Sequence, residues 1–116
     1  MRVLIRDNLR VATCVGFGPR FQHCTGQVYK CGPNSGVFFQ ITCTDRIDLA
    51  VSGYSYTFGT VNEARARGDF DVLTKRARRA RRLDIGDDAS AGLKALGDAV
   101  ARILRYATPN YAERED

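Results

Sequence analysis

Val37-Phe38-Phe39-Gln40-Ile41-Thr42 has the strongest β-strand character in the chain, because its residues are mainly β-branched or aromatic. The six residues before it, Cys31-Gly32-Pro33-Asn34-Ser35-Gly36, form a concentrated turn signal. We therefore predict a buried strand that begins directly after a tight turn. Upstream, residues 20–30 have room for a short helix. A further strand is predicted at Val11 to Val15, an apolar run that ends in Gly16-Phe17-Gly18-Pro19.

Downstream of the strand, residues 43–59 form a Tyr- and Ser-rich loop of little periodicity, typical of segments that carry function or contact a partner. Thr60-Val61-Asn62-Glu63 fits a capping box and predicts the start of a helix. Gly68 predicts an interruption of that helix, and Asp69-Phe70-Asp71 predicts its restart. A short strand is then predicted at Leu83-Asp84-Ile85-Gly86.

The last predicted element is an amphipathic helix that ends near Arg105. Its apolar residues recur at helical spacing, at Leu93, Leu96, Val100, Ile103 and Leu104, and Asp87, Asp88 and Ser90 are candidate N-terminal caps. The element order predicts a single α/β domain over residues 1–106, with a small, mainly parallel sheet of three or four strands flanked by helices. Residues 107–116 are predicted to form a polar tail.

Composition supports one folded domain. The chain has 116 residues, of which 44% are hydrophobic and 27% are charged, as in ordinary globular proteins. The longest apolar runs fall short of the ~18 residues that span a bilayer, and charge interrupts Met1–Asp7 too early for a signal peptide. We therefore expect a cytoplasmic protein without a membrane partner. No Cys-x-x-Cys pair indicates a metal site, and in a reducing compartment the four cysteines are expected to be buried thiols.

The net charge of +5 and the isoelectric point of about 9.3 raise the question of nucleic-acid binding. Residues 1–58 hold six Lys or Arg against three Asp or Glu, and residues 59–116 hold twelve against ten, so neither half is a basic tail. The exception is Lys75–Arg82, where six of eight residues are basic. If residues 69–82 are helical, these cations form a solvated face over the core. RNA binding through residues 75–82 is the alternative.

Candidate chemistry concentrates between the first two predicted strands. His23 is the only histidine, and imidazole can give and take a proton near neutral pH. Polar or cationic residues suited to a phosphate or carboxylate surround it in sequence, namely Arg20, Thr25, Gln27 and Lys30. A structural histidine is the alternative reading. Gly16-Phe17-Gly18 is not a dinucleotide-binding fingerprint, because Phe21 takes the place of the third glycine.

Several segments together resemble the glucose-6-phosphate isomerase family, in particular the isomerase part of bifunctional transaldolase/glucose-6-phosphate isomerase proteins. The most specific are His23-Cys24-Thr25-Gly26-Gln27 and Gly32-Pro33-Asn34-Ser35-Gly36. Weaker similarity continues through Tyr56–Thr60, Gly68–Phe70 and Ala91–Leu93. The resemblance covers roughly residues 10 to 104.

This resemblance implies a sugar isomerase (SIS-like) fold that interconverts glucose 6-phosphate and fructose 6-phosphate without a metal or other cofactor. In the family a histidine helps to open the sugar ring, and a glutamate moves a proton between C1 and C2. His23 falls on the histidine of the family motif, so the resemblance assigns ring opening to it. Arg20, Thr25, Gln27 and Lys30 are the corresponding candidates for binding the sugar phosphate.

The departures from the family are equally informative. The glutamate base and the phosphate-binding loop lie upstream of the matching part in the family, and Glu63 is assigned to the capping box. We therefore expect a truncated or split isomerase that acts as a homodimer or with a complementing isomerase chain. A non-catalytic sugar-phosphate-binding or assembly module is the second hypothesis, and RNA binding is the third. Lys94 lies one helical turn before the position of a family lysine, so we assign it no role.

Overall fold

The computed structural model describes residues 1–18 and 24–107, with side chains placed from residue 26 onward in the second range. Its elements are α1 (Arg2–Leu9), α2 (Cys24–Cys31), β1 (Val37–Thr42), α3 (Phe58–Lys75), β2 (Arg79–Asp84) and α4 (Ala89–Ala107). The described chain divides into two compact units, one built from α1 and α4 and the other from α2, β1, α3 and β2. This is a mixed α/β architecture, as predicted.

Strands β1 and β2 form a two-stranded parallel sheet. The register runs from Val37 opposite Arg79 to Thr42 opposite Asp84. The pairing continues past the strands, since the Ile85 N–H donates to the Thr42 carbonyl at 2.9 Å. The prediction of a strand at Val37–Thr42 is confirmed, but its predicted burial is wrong, because Val37 and Phe39 are exposed and the other four residues are half-buried. The sheet has two strands among the described residues, fewer than the three or four expected, because residues 11–15 lie outside any strand.

Alternate residues along a strand point to opposite sides, so the register sorts the paired residues into two faces. One face, here the covered face, comprises Phe38, Gln40, Thr42, Ala80, Arg82 and Asp84. The other, here the open face, comprises Val37, Phe39, Ile41, Arg79, Arg81 and Leu83. The two faces differ in what lies against them.

Helix α3 lies against the covered face. Gln40 Nε2 donates to the Ala66 carbonyl at 2.7 Å, and Arg82 Nη2 donates to both carboxylate oxygens of Glu63 at 2.6 Å. Ala80, between these contacts, is only 7% exposed. Because a parallel pair needs a crossover connection, α3 both links the two strands and shields one face.

Helix α2 shields the same face near its start, where the rings of Tyr29 and Phe38 have centroids 5.5 Å apart. The open face is exposed at its start, where Val37 and Phe39 are each 58% exposed although both are large apolar residues in a strand. Ile41 and Leu83 farther along the same face are half-buried. Among the described residues, the sheet is therefore less covered on its open face than on its covered face.

The predicted start of α3 is wrong by three residues, since the capping box predicts Thr60 as the N-cap. The helix begins at Phe58, and Thr57 is the N-cap, whose side chain accepts from the Thr60 N–H at 3.2 Å. Asp48 provides a second acceptor from the preceding loop, bonded to the Gly59 N–H at 2.8 Å. Thr60 thus lies within the first turn, and Glu63 is free of the capping role predicted for it. The helix also continues without interruption past Gly68.

The predicted helix over residues 69–82 is also wrong, because α3 ends at Lys75 and the chain turns into β2. Ala77 adopts a left-handed φ of 52°. Its N–H donates to the Thr74 carbonyl and the Arg78 N–H donates to the Leu73 carbonyl, each at 2.9 Å. These two bonds form a Schellman motif, which ends the helix. The strand therefore begins at Arg79, four residues before the predicted one.

The unit of α1 and α4 is helical. The amphipathic pattern correctly predicts α4, whose Leu104 is 6% exposed. Helix α1 has no counterpart among the predicted elements. It ends at Leu9, and the C-cap residue Arg10 takes a left-handed φ of 51°.

Three of the cysteines, Cys14, Cys31 and Cys43, are free thiols with exposed side chains. The prediction that they are buried is therefore wrong. Cys31 ends α2, Cys43 follows β1 directly, and Cys14 lies in the irregular segment after α1. These positions place the thiols at the ends of elements rather than on packed faces.

Candidate functional site

The candidate site is built on α2 and the loop that joins it to β1. The short helix predicted within residues 20–30 is confirmed as α2, and the predicted turn follows it. The Gly32 N–H donates to the Val28 carbonyl at 2.8 Å. A Cβ on Gly32 would lie 2.6 Å from that oxygen, so only glycine fits there. The loop therefore leaves the helix along one defined path.

Arginines from the segment before β2 hold this loop in place. Arg78 Nη2 donates to the carbonyls of Lys30 at 2.9 Å and Gly32 at 2.6 Å, and Arg79 Nη2 donates to the Ser35 carbonyl at 2.6 Å. We call Arg78 and Arg79 the arginine clamp. A cation at the C-terminal carbonyls of a helix also interacts favourably with the helix dipole.

The loop also donates a hydrogen bond to the residue before the arginine clamp, since Asn34 Nδ2 donates to the Ala77 carbonyl at 3.1 Å. Ala77, the residue with the left-handed φ, is thus hydrogen-bonded to the loop. Residues 30–36 and 77–79 together form one hydrogen-bonded unit at the start of the sheet. Sequence reasoning missed this role of Arg78, Arg79 and Asn34, because the partners lie more than forty positions apart.

Lys30 is in an ion pair with Asp69 of α3. The lysine side chain is 22% exposed and the aspartate side chain 37%, so the pair is partly shielded from water. Lys30 therefore joins α2 to α3 and does not present a free cation. The sequence predicts Lys30 as a substrate-binding residue, an assignment that stays a prediction, and does not indicate its partner Asp69.

The other predicted site residues are placed as follows. Gln27 lies in α2 with an exposed side chain. Thr25 lies in the same helix, and its side chain is outside the described part. Arg20 and His23 lie outside the described residues. The structure thus brings Gln27 and Lys30 onto one short helix, and the assignments of all five residues remain predictions.

Three carboxylates of the sheet unit, Glu63, Asp84 and Asp48, have structural partners. Glu63 pairs with Arg82. The Gly86 N–H and the Thr42 hydroxyl, both bonded to the carboxylate of Asp84, hold its pKa below the usual value. A carboxylate with a lowered pKa is a poor proton acceptor near neutral pH.

Asp48 behaves in the same way as Asp84. Hydrogen bonds from the Thr57 hydroxyl, and then from the Gly59 N–H, hold the pKa of its carboxyl below the usual value. Its negative charge lies at the N-terminus of α3, where the helix dipole favours an anion. Asp48 is therefore a capping group for α3.

The basic run Lys75–Arg82 is not the helical solvated face that the sequence predicts. Four of its cations, Arg76, Arg78, Arg79 and Arg82, donate to groups on other elements. Arg81 points to the open face and donates only to the carbonyl of its neighbour Ala80, at 3.1 Å. The run therefore has an internal structural role that its charge density alone does not reveal.

The Tyr- and Ser-rich loop is irregular over residues 43–57, apart from one isolated antiparallel bridge between Ala50 and Thr57. Gly53 forms the tip with a φ of 80°, a value that favours glycine. A shallow, mainly apolar cavity of about 420 Å³ follows the loop at the start of α3, lined by Tyr56, Thr60, Val61, Ala64 and Arg65.

Comparison with known proteins identifies no relative, since no family model, no curated protein and no solved structure matches the chain. The similarity to glucose-6-phosphate isomerases therefore stays a prediction from the motifs. Within the described part of the chain, no helix combines the length and apolar character needed to cross a membrane.

Proposed function

We propose that the chain is an isomerase-like protein that acts on the aldose-ketose pair glucose 6-phosphate and fructose 6-phosphate. It is a truncated or split isomerase piece in this proposal, and another polypeptide supplies the base. The observation that carries the proposal is the arginine clamp, which holds residues 30–36 by three bonds of 2.6 to 2.9 Å. Binding sites need such supporting contacts, because loosely held backbone loses the geometry of the ligand contacts.

His23 is the proposed catalytic residue, which takes and returns the hydroxyl proton during ring opening. The sugar phosphate contacts Arg20, Thr25 and Gln27 in this proposal. Lys30 has a positioning role through its ion pair with Asp69, because a paired lysine offers less charge to a phosphate.

In this proposal a complementing isomerase chain supplies the base, because the family's glutamate lies upstream of the matching part and three carboxylates of the sheet unit already have structural partners. Glu63 is bonded to Arg82, and the carboxyls of Asp48 and Asp84 have lowered pKa values. The free thiols of Cys14, Cys31 and Cys43 support a reducing, cytoplasmic compartment.

A non-catalytic sugar-phosphate-binding or assembly module is the second candidate. The exposed apolar residues of the open face favour it, because parallel sheets are normally covered on both sides. A module that only assembles with a partner needs neither a base nor a phosphate site.

Thermal unfolding by circular dichroism, with and without millimolar fructose 6-phosphate, tests the first candidate. Ligand at about 100 times its Kd stabilises a protein by about 2.7 kcal/mol, which raises the Tm by several degrees. We expect this rise in the wild-type chain and its loss in His23→Ala. The matched control is Lys94→Ala, since Lys94 is exposed and pairs only within α4.

A cooperative transition that fructose 6-phosphate leaves unchanged would reject the sugar-phosphate site and favour the assembly module. A rise that persists in His23→Ala would instead remove His23 from the site. Isomerase activity in the isolated chain would contradict the need for a complementing polypeptide.

A further inference from the structure

The open face of the β1–β2 sheet has the properties of a docking surface. Val37 and Phe39 lie exposed along β1, and the exposed residues Arg79 and Arg81 lie beside them along β2. The six residues of this face include no carboxylate. It is therefore an apolar strip with positive charge along one side.

Its dimensions suit one helix. Six residues of strand extend about 20 Å, and two strands with their side chains are about as wide as an α-helix. Arg79 and Arg81 are alternate residues, so their Cα atoms lie roughly 7 Å apart. Residues i and i+4 of a helix are about 6 Å apart along its axis, so two carboxylates at that spacing match the separation of the two arginines. Arg79 keeps its positive charge on this face while its Nη2 donates to the Ser35 carbonyl.

The positive charges of the open face make a second copy of this chain an unfavourable partner for that face. Two open faces packed together would enclose four guanidinium groups and no carboxylate, which is costly without counter-charge. The amphipathic helix α4 carries three cations, Lys94, Arg102 and Arg105, against the single carboxylate of Asp98. None of the described helices, α1 to α4, carries two Asp or Glu residues at i and i+4, so the described part of a second copy presents no helix of the required kind.

We propose that the open face docks an amphipathic helix of a different polypeptide, with apolar residues over Val37 and Phe39 and a pair of Asp or Glu residues opposite Arg79 and Arg81. This inference rests on the proposed need for a complementing chain and names the chemistry of its contact. The helix completes the sheet by covering its second face.

Fluorescence anisotropy with two labelled peptides tests the proposal. Both peptides are amphipathic helices of about 18 residues with the same stripe of leucines. They differ at positions i and i+4 beside the stripe, where the first peptide has Glu and the second has Lys. We expect the intact chain to bind the Glu peptide at least about 10-fold more tightly than the Lys peptide.

Variants of the chain sharpen the test. Arg81→Glu should reverse the preference between the two peptides, and Phe39→Asp should weaken the Glu peptide about 10-fold. The control Arg65→Glu changes an exposed arginine of α3 away from the open face and should leave both affinities unchanged. Circular dichroism checks that each variant keeps the wild-type fold.

Equal affinities for the two peptides, or no saturable binding to a folded chain, would overturn the proposal. A homodimer in sedimentation velocity that Phe39→Asp dissociates would overturn it in favour of a second copy. A shift of the Tm by fructose 6-phosphate without peptide preference would reject only the docking surface. Peptide preference without that shift would support the docking surface and reject the sugar-phosphate site.

Discussion

The covered and open faces of the β1–β2 sheet carry two charged residues each, but the open face has four apolar residues against two on the covered face, and the surroundings of the two faces are opposite. On the covered face Gln40 and Arg82 are bonded to α3, and Ala80 is buried. On the open face Phe39 is more than half exposed, and Arg81 donates only to its own strand. The comparison teaches that the packing helices, rather than the composition of the strands, decide which residues stabilise the fold.

The largest expected difference between the faces concerns a buried charge. Ala80→Asp places a carboxylate under α3, and we expect it to lower the free energy of unfolding by about 3 kcal/mol, because an unpaired charge is costly away from water. The matched change on the open face, Phe39→Asp, should cost at most about 1 kcal/mol. Urea denaturation followed by circular dichroism measures both. Equal losses would show that the two faces are equally covered.

A smaller difference in the free energy of unfolding is expected between substitutions of Arg78, in the arginine clamp, and Arg81, on the open face. Arg78→Ala leaves the carbonyls of Lys30 and Gly32 without their charged donor, so we expect a loss of about 2 kcal/mol. Arg81→Ala should change the free energy of unfolding by less than about 0.5 kcal/mol. Urea denaturation measures the loss in both variants. A loss in Arg78→Ala as small as the loss in Arg81→Ala would contradict the stabilising role of the arginine clamp.

The smallest expected effect is a pH dependence from the end of the covered face. The pKa of Asp84 is lowered in the folded state, so its ionised form stabilises the protein above the unfolded pKa of about 3.9. That contribution is lost as the pH falls through the folded pKa. We expect Asp84→Asn to reduce the loss of stability in acid.

Unfolding curves at pH values from about 6 to 2.5 measure this slope. Asp48→Asn should reduce the slope by a separate amount, since its pKa is also lowered, and the double variant should be flattest. A steeper acid loss in Asp84→Asn would reverse the assigned sign. The open face has no titratable carboxylate, so Phe39→Asp serves as a variant with a new carboxylate of ordinary environment.

Three elements of the fold could be predicted from local patterns. β1 follows from its β-branched and aromatic residues, α2 from the space before the glycine-rich turn, and α4 from its apolar spacing. The end of α3 could not be predicted in this way. Its left-handed terminal residue is Ala77, whereas the sequence signal for such an end is glycine.

For the candidate site, the polar residues of α2 could be selected from the sequence, but their partners could not. Lys30 is bonded to Asp69, and Arg78 to the carbonyl of Lys30, across separations of 39 and 48 residues. Neither spacing follows any helical or strand period. For the same reason the sequence predicts a capping role for Glu63, whereas the structure pairs Glu63 with Arg82.

Local sequence is sufficient for the α/β class, for β1 and for the long amphipathic helix, because backbone preferences and apolar periodicity act over a few residues. The tertiary structure alone assigns the arginines. In Arg78-Arg79-Ala80-Arg81-Arg82, two neighbours form the clamp, one is bonded to Glu63, and Arg81 donates to a carbonyl of its own strand. Their chemistry is identical, so only the parallel pairing of β2 with β1 and the position of α3 give each its partner.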